Sequence, residues 1–212
     1  FVNSLEDLKD KTKKSGNKYF VMRHGESENN VKNIISSRVE DVDHLTEKGK
    51  KQVLNDIAEI KYEKIDLIIY SDFMRTEETA EIVKKELGIK DDHFILDKRI
   101  REIDRGNSDG ETWGEYFHSN EIKDWYNYVP ESGESCKEVK LRMTSFLYDI
   151  ENKYKDKNIL IVTHEGPARM LIAGVDGLND EQTAEYLGNK ITHLENAKVI
   201  KLPFVPLPHN EN

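Results

Sequence analysis

The chain has 212 residues, with 41 Asp and Glu against 32 Lys and Arg, a formal net charge of -9 and a hydrophobic content of 36%. That length predicts one domain spanning 1–212 with a sizeable core. The acidic balance excludes a broad basic face for nucleic acid or an anionic membrane, so any anionic ligand must be held by a local cluster of cations.

Residues 1–17 read as an N-terminal extension whose basic cluster KDKTKK (9–14) is solvated, and the opening stretch is too charged for a signal-peptide core. Apolar runs bounded by turn residues then predict strands at 18–24, 65–72, 158–165 and 197–204, the first three buried on both faces. Between them, helical periodicity predicts helices at 45–60, 73–88 and 135–155, with Thr46 and Ser135 as N-caps and Gly88 as a stop. The stretch 91–133 breaks this rhythm. Its part 103–133 reads as a cap-like insertion over one end of the sheet, with an aromatic-bearing helical piece around Trp125 and Tyr128. Residues 203–212 read as a tail. Strands alternating with crossover-length helices predict an α/β three-layer sandwich, a mostly parallel central sheet with helices on both faces.

No segment approaches the run of about 18 apolar residues that crosses a bilayer. A single cysteine, Cys136, cannot close an intramolecular disulfide, and a reducing, cytoplasmic setting is expected.

In open parallel sheets, ligands bind beyond the carboxyl ends of the strands. Three predicted strands end there in polar groups: Arg23-His24-Gly25-Glu26, Ser71-Asp72 with Arg75 opening the next helix, and Thr163-His164-Glu165-Gly166. If the strands are parallel, His24, Arg75 and His164 converge. Two arginine forks, Arg23 and Arg75, neutralise most of the charge of a phosphoryl group. A histidine between them is partly neutral near pH 7 and nucleophilic, suited to accepting that group covalently. Gly25 is read as clearing space for the ligand beside the backbone.

At this point the motifs RHGES, Asn30, LTEKGKKQ (45–52), YSDFMRTEETA (70–80), REIDRG (101–106), GES (133–135) and VTHEG (162–166) carry a resemblance. In that order they resemble the histidine phosphatase superfamily, the phosphoglycerate mutase-like clan with an Arg-His-Gly signature, over roughly residues 18–175. The resemblance implies the phosphoglycerate mutase-like fold and a phosphohistidine mechanism on a small phosphomonoester, with no metal and no cofactor. It implies His24 as nucleophile, Arg23, Arg75 and His164 as the phosphate pocket, Asn30 as an added donor, and Glu102 as proton donor and later general base. A phosphatase is expected over the 2,3-bisphosphoglycerate-dependent mutase, because the insertion before GES is short and carries few cations, Arg105 and Lys123. A non-catalytic phosphate-binding module on the same fold is the third reading; the retained histidine and arginines oppose it.

Plainer readings stand beside these. Asp104, Glu111 and Glu115 lie close to Glu102 and are alternative acids. Ser37, with Ser36 and Arg38, is placed as a substrate contact or a polar loop. Asn29 is read as a turn residue, and Trp113, Tyr116, Phe117, Trp125 and Tyr128 mostly as packing. A metal site of Glu26 with the histidines is rejected, since a cation would compete with the arginines. The chain departs from the family pattern at Glu165, which stands where many members have glycine. A carboxylate there disfavours a highly anionic ligand unless it turns away into a salt bridge. Glu165 is therefore placed among the substrate-contacting residues, while the natural substrate and the oligomeric state are left open.

Overall fold

The computed structural model describes residues 15–119, 122, 124–189 and 192–202; the basic cluster 9–14, Lys123 and the tail 203–212 lie outside the described residues. In chain order the elements are β1 (Lys18–Arg23), α1 (Glu28–Lys32), α2 (Glu47–Ile60), β2 (Leu67–Tyr70), α3 (Met74–Leu87), β3 (Phe94–Leu96), α4 (Trp113–Ser119), α5 (Cys136–Lys153), β4 (Asn158–Thr163), α6 (Glu165–Val175), α7 (Asp180–Gly188) and β5 (Val199–Lys201). The five strands form one sheet in the order β3-β2-β4-β1-β5. β1, β2, β3 and β4 run parallel, and β5 is antiparallel to β1.

Alternation along the strands divides the core into the two outer interfaces of a sandwich. Tyr19, Val21, Ile69 and Ile161 pack with Val139, Met143 and Phe146 of α5 and Ala168 and Leu171 of α6. Phe20, Met22, Ile68 and Leu160 point to the other face and pack with Val53 and Ile57 of α2 and Ala80 and Val83 of α3. Successive strand residues necessarily point to opposite faces, so a continuous apolar run is what a sheet covered on both sides requires.

The caps stand as expected. The Thr46 side chain accepts from Gly49 N at the start of α2, Ser135 forms a capping box with Glu138 at the start of α5, and Gly88 closes α3 in the left-handed region at φ 68°. Three features depart from the sequence reading. Trp125–Asn127 form a turn, and the aromatic-bearing helix of this region is instead α4, Trp113–Ser119. Asn29 is helical, inside α1. Gly25 makes room for protein: a Cβ there would stand 2.6 Å from Gly49 O and 3.0 Å from Val53 Cγ2, so the missing side chain lets β1 and α2 approach.

Among the described residues no helix is long and apolar enough to cross a membrane.

Candidate active site

The parallel register aligns the ends of β1 and β4, pairing Arg23 with Thr163. His24 and His164 therefore leave the sheet side by side, and His24 N extends the ladder by donating to Thr163 O at 3.0 Å. Their rings lie 5.3 Å apart between centroids, in edge contact, and both are almost wholly buried. β2 brings Ser71 to the same edge, and Arg75 follows in the first turn of α3. This edge opens into a cavity of about 690 Å³ whose lining includes Arg23, His24, Asn30, Arg75, Glu102 and Glu165.

Hydrogen bonds set the state of the His24 ring. Its Nδ1 lies 2.7 Å from the Gly25 carbonyl, which can only accept, so the proton sits on Nδ1. Nε2 then carries the lone pair, and Arg75 Nε donates to it at 3.2 Å. Burial, followed by the charges of Arg75 and Arg23, holds the pKa of His24 well below the usual histidine value. A neutral ring with a free Nε2 is the form of imidazole that attacks phosphorus.

Arg75 is fixed by Ser36, read from the sequence as a substrate contact or polar loop, and by Asp43, which carried no motif. Nη1 donates to Ser36 Oγ and to Asp43 Oδ2, both at 3.1 Å, and Nη2 donates to Ser36 O at 2.9 Å. Asp43 is 1% exposed and also accepts from Ser27 Oγ and Asn29 N, each at 2.9 Å. Such a fully paired buried carboxylate holds the guanidinium in one orientation.

Arg23 donates from Nη1 to Leu194 O at 2.7 Å, and its buried Nε has no partner among the described residues. His164 shares a 3.0 Å hydrogen bond between Nε2 and Ser71 Oγ. With the Ser71 hydroxyl donating, the ring proton lies on Nδ1, which is buried and has no hydrogen-bond partner. Burial and the Arg75 charge lower the His164 pKa well below its usual value. His164 is also the N-cap of α6 and makes no side-chain cap bond, so N–H groups of the first helical turn are left for an anion.

Asn30 reaches the cavity from α1. Its Oδ1 accepts from Ser27 N at 3.1 Å and from Asn196 Nδ2 at 3.0 Å, which leaves its amide N–H groups as donors. Asn196 carried no signal in the sequence. It sits in the turn before β5, next to Ala197, a buried non-glycine residue at φ 63° whose N–H donates to His24 O at 3.0 Å.

Of the four carboxylates considered as the acid, Glu102 lines the cavity with His24. Its Oε1 accepts from Ile103 N at 2.9 Å, and Oε2 stands 3.9 Å from His164 Nδ1. Burial raises its pKa above the usual glutamate value, against the opposing pull of Arg75 and Arg105. Asp104 instead accepts from Gly106 N, and Glu115 accepts from Thr112 N and Oγ1. Gly166 explains how Glu102 fits. A Cβ at Gly166 would meet Ile103 Cδ1 at 2.6 Å and Glu102 Oε1 at 3.1 Å.

The other residues singled out in the sequence take these places. Ser37 lines the cavity, but its hydroxyl is engaged, donating to Asp109 Oδ1 at 2.8 Å and accepting from Arg105 N at 3.1 Å. Glu165 does not turn away: it lines the cavity with Oε2 3.1 Å from Arg23 Nη1. Glu26 faces elsewhere, accepting from Thr46 and Lys48. Trp113, Phe117 and Trp125 form a wall of the cavity in mutual ring contact, whereas Tyr116 is buried behind them.

A profile of the histidine phosphatase superfamily (branch 1) matches residues 19–203, and the chain belongs to that family. It is 28% identical over 181 residues to the 2,3-bisphosphoglycerate-dependent phosphoglycerate mutase of Bartonella quintana (strain Toulouse), covering 79% of this chain and 85% of that protein. It is 27% identical over 189 residues to a Hydrogenobacter thermophilus protein named "Putative phosphoserine phosphatase 2", covering 86% and 87%. Among solved structures, a mycobacterial glucosyl-3-phosphoglycerate phosphatase complexed with VO3 shares the fold, with a TM-score of 0.74, 20% identity, and coverage of 87% and 90%. The relatives include both mutases and phosphatases.

Proposed function

We propose that this member of the histidine phosphatase superfamily is a metal-independent phosphatase that hydrolyses small phosphomonoesters through a phosphohistidine on His24. One observation carries the reading. A neutral His24 with its lone pair on Nε2 lines the same cavity as Glu102, whose pKa burial raises, and as Arg23 and Arg75.

The phosphoryl oxygens are held by Arg23, Arg75, Asn30 and His164 Nδ1. On binding, the phosphoryl group takes up the His24 lone pair, so Arg75 Nε–H passes from the ring to a phosphoryl oxygen while Asp43 and Ser36 keep the guanidinium in place. His24 Nε2 then attacks phosphorus as the bond to the leaving oxygen breaks, and Glu102, protonated, gives its proton to that oxygen. Nδ1–H stays on the Gly25 carbonyl and supports the positive charge that the ring acquires. Glu102, now a carboxylate, takes a proton from water as the water oxygen attacks phosphorus. The P–N bond breaks, inorganic phosphate leaves, and both groups return to their starting state. The two arginines supply the charge stabilisation that phosphoryl transfer needs.

The sharpest test combines turnover with trapping. Wild-type protein with p-nitrophenyl phosphate and a chelator should release phosphate and form an acid-labile phosphoenzyme, and His24→Ala should lose both. Wild-type inactivity across a phosphomonoester panel would favour the non-catalytic module. Interconversion of phosphoglycerates, dependent on a bisphosphate primer and faster than phosphate release, would favour the mutase.

A further inference from the structure

The cavity holds one carboxylate that the proposed chemistry does not use. Glu165 is the first residue of α6, and its side chain is 23% exposed. Its Oε2 lies 3.1 Å from Arg23 Nη1, and its Oε1 lies 2.6 Å from His193 Nδ1 and 4.0 Å from Arg169 Nη1. An arginine of the proposed phosphate pocket is thus already paired with an internal anion.

We propose that Glu165 is a specificity-determining residue that confines this site to phosphomonoesters with an uncharged, apolar leaving group and rejects those bearing a second anionic group. The proposal rests on the phosphatase reading above and names its substrate class.

The charges around the cavity support it. Arg75 is matched by Asp43, and Arg23 by Glu165. Arg169 donates from Nη2 to Tyr186 O, Leu187 O and Thr192 Oγ1, all at 3.1 Å or less, and lies near Glu165 besides. Arg105 stands 5.6 Å from the centroids of both the Trp113 and Tyr116 rings, over their faces. One phosphoryl group can still be held, because Arg23 Nε and His164 Nδ1 are buried without a hydrogen-bond partner among the described residues. A carboxylate or second phosphate on the leaving group would have to lie in the same cavity as Glu165, where like charge repels it.

The remaining wall suits an apolar group. Ile34, Trp113, Phe117, Trp125 and Leu187 line the cavity together, and Phe117 is 55% exposed although it contacts Trp125 at 5.1 Å between centroids. An exposed aromatic cluster at the mouth of a phosphate site gains by covering its surface with a ligand of the same character.

The test compares phenyl phosphate with 4-carboxyphenyl phosphate, esters of similar shape and leaving-group acidity that differ by one charge. Wild type should have the higher kcat/KM on the uncharged ester. Glu165→Gln should raise the ratio of carboxylated to uncharged kcat/KM about tenfold, the effect of one unit charge at ~7 Å in a partly screened site. The wild-type preference should also shrink with added salt. Equal use of both esters by wild type, a preference for the carboxylated one, or an unchanged ratio in a folded Glu165→Gln would overturn the proposal. If that variant fails to fold, the wild-type ratio and its salt dependence still decide. Wild-type inactivity on both esters would instead overturn the phosphatase reading, and this inference with it.

Discussion

Replacing Gly166 by alanine tests whether Glu102 is placed by the close approach of α6. Helix propensity alone favours the change, since alanine in a helix is better than glycine by about 0.5–1 kcal/mol. Packing opposes it. The new Cβ would stand 2.6 Å from Ile103 Cδ1 and 2.8 Å from Ile103 Cγ1, and Ile103 is 3% exposed within the core. Two side-chain atoms under 3 Å cannot both be relieved by a terminal rotation, so the buried residue must shift. Overpacking of this kind costs about 1–3 kcal/mol, which outweighs the propensity gain and leaves a net loss of roughly 1–2 kcal/mol. For a chain of this length that is a fall in Tm of roughly 2–8 °C. The shift also reaches the chemistry, because Ile103 N anchors the Glu102 carboxylate at 2.9 Å and the new Cβ meets Glu102 Oε1 at 3.1 Å. Displacing a catalytic group by an ångström costs on the order of 10²-fold. That loss should depend on the leaving group. p-Nitrophenolate departs without a proton, so kcat/KM, which reports the phosphorylation step, should fall much less on p-nitrophenyl phosphate than on an alkyl phosphate, which needs the acid. Equal losses on the two esters, or an unchanged Tm with unchanged rates, would refute the reasoning.

Two further changes probe the same site. Glu102→Gln removes a group whose folded pKa burial raises; the folded protein therefore binds the proton more tightly than the unfolded chain, and Glu102 detracts from stability as pH rises above the ordinary carboxylate range. The variant should have a higher Tm than wild type near neutral pH, with the difference vanishing in acid, as followed by calorimetry across pH. Asp43→Ala leaves the buried Arg75 guanidinium without its counterion and should cost about 3–5 kcal/mol in urea denaturation, with loss of turnover.

Elements with a clear period were legible in the chain. The runs that became β1, β2 and β4 read as strands because both faces of the sheet are covered, and α2, α3 and α5 announced themselves through caps and apolar spacing. β3 was missed because Phe94–Leu96 is three residues at the edge of the sheet and only partly buried, too short for a periodic signal. α6 was missed because it opens Glu-Gly-Pro, which reads as a turn, although proline in a first helical turn loses no hydrogen bond. The residues carrying chemistry were placed at one edge by strand direction and motif. Their supports were not: Asp43 and Asn196 lie 32 and 166 residues from Arg75 and Asn30, the groups they hold, and single-chain spacing carries no record of such contacts. The reading of Gly25 failed for a related reason. A glycine beside a catalytic residue suggests a ligand, but its open side faces the backbone of Gly49.

The two carboxylates that meet the phosphate-side arginines differ in what they can do, and burial is the reason. Asp43 also lines the cavity, but it is 1% exposed and accepts three protein donors, so its carboxylate is committed to orienting Arg75. Glu165 lines the cavity, pairs with Arg23 through one oxygen and with His193, itself half exposed, through the other. A partly exposed ion pair can be exchanged for a ligand, whereas a buried one with further donors on its carboxylate is held in place. In our proposal Glu165 therefore sets the charge that a substrate meets while leaving the geometry around His24 in place.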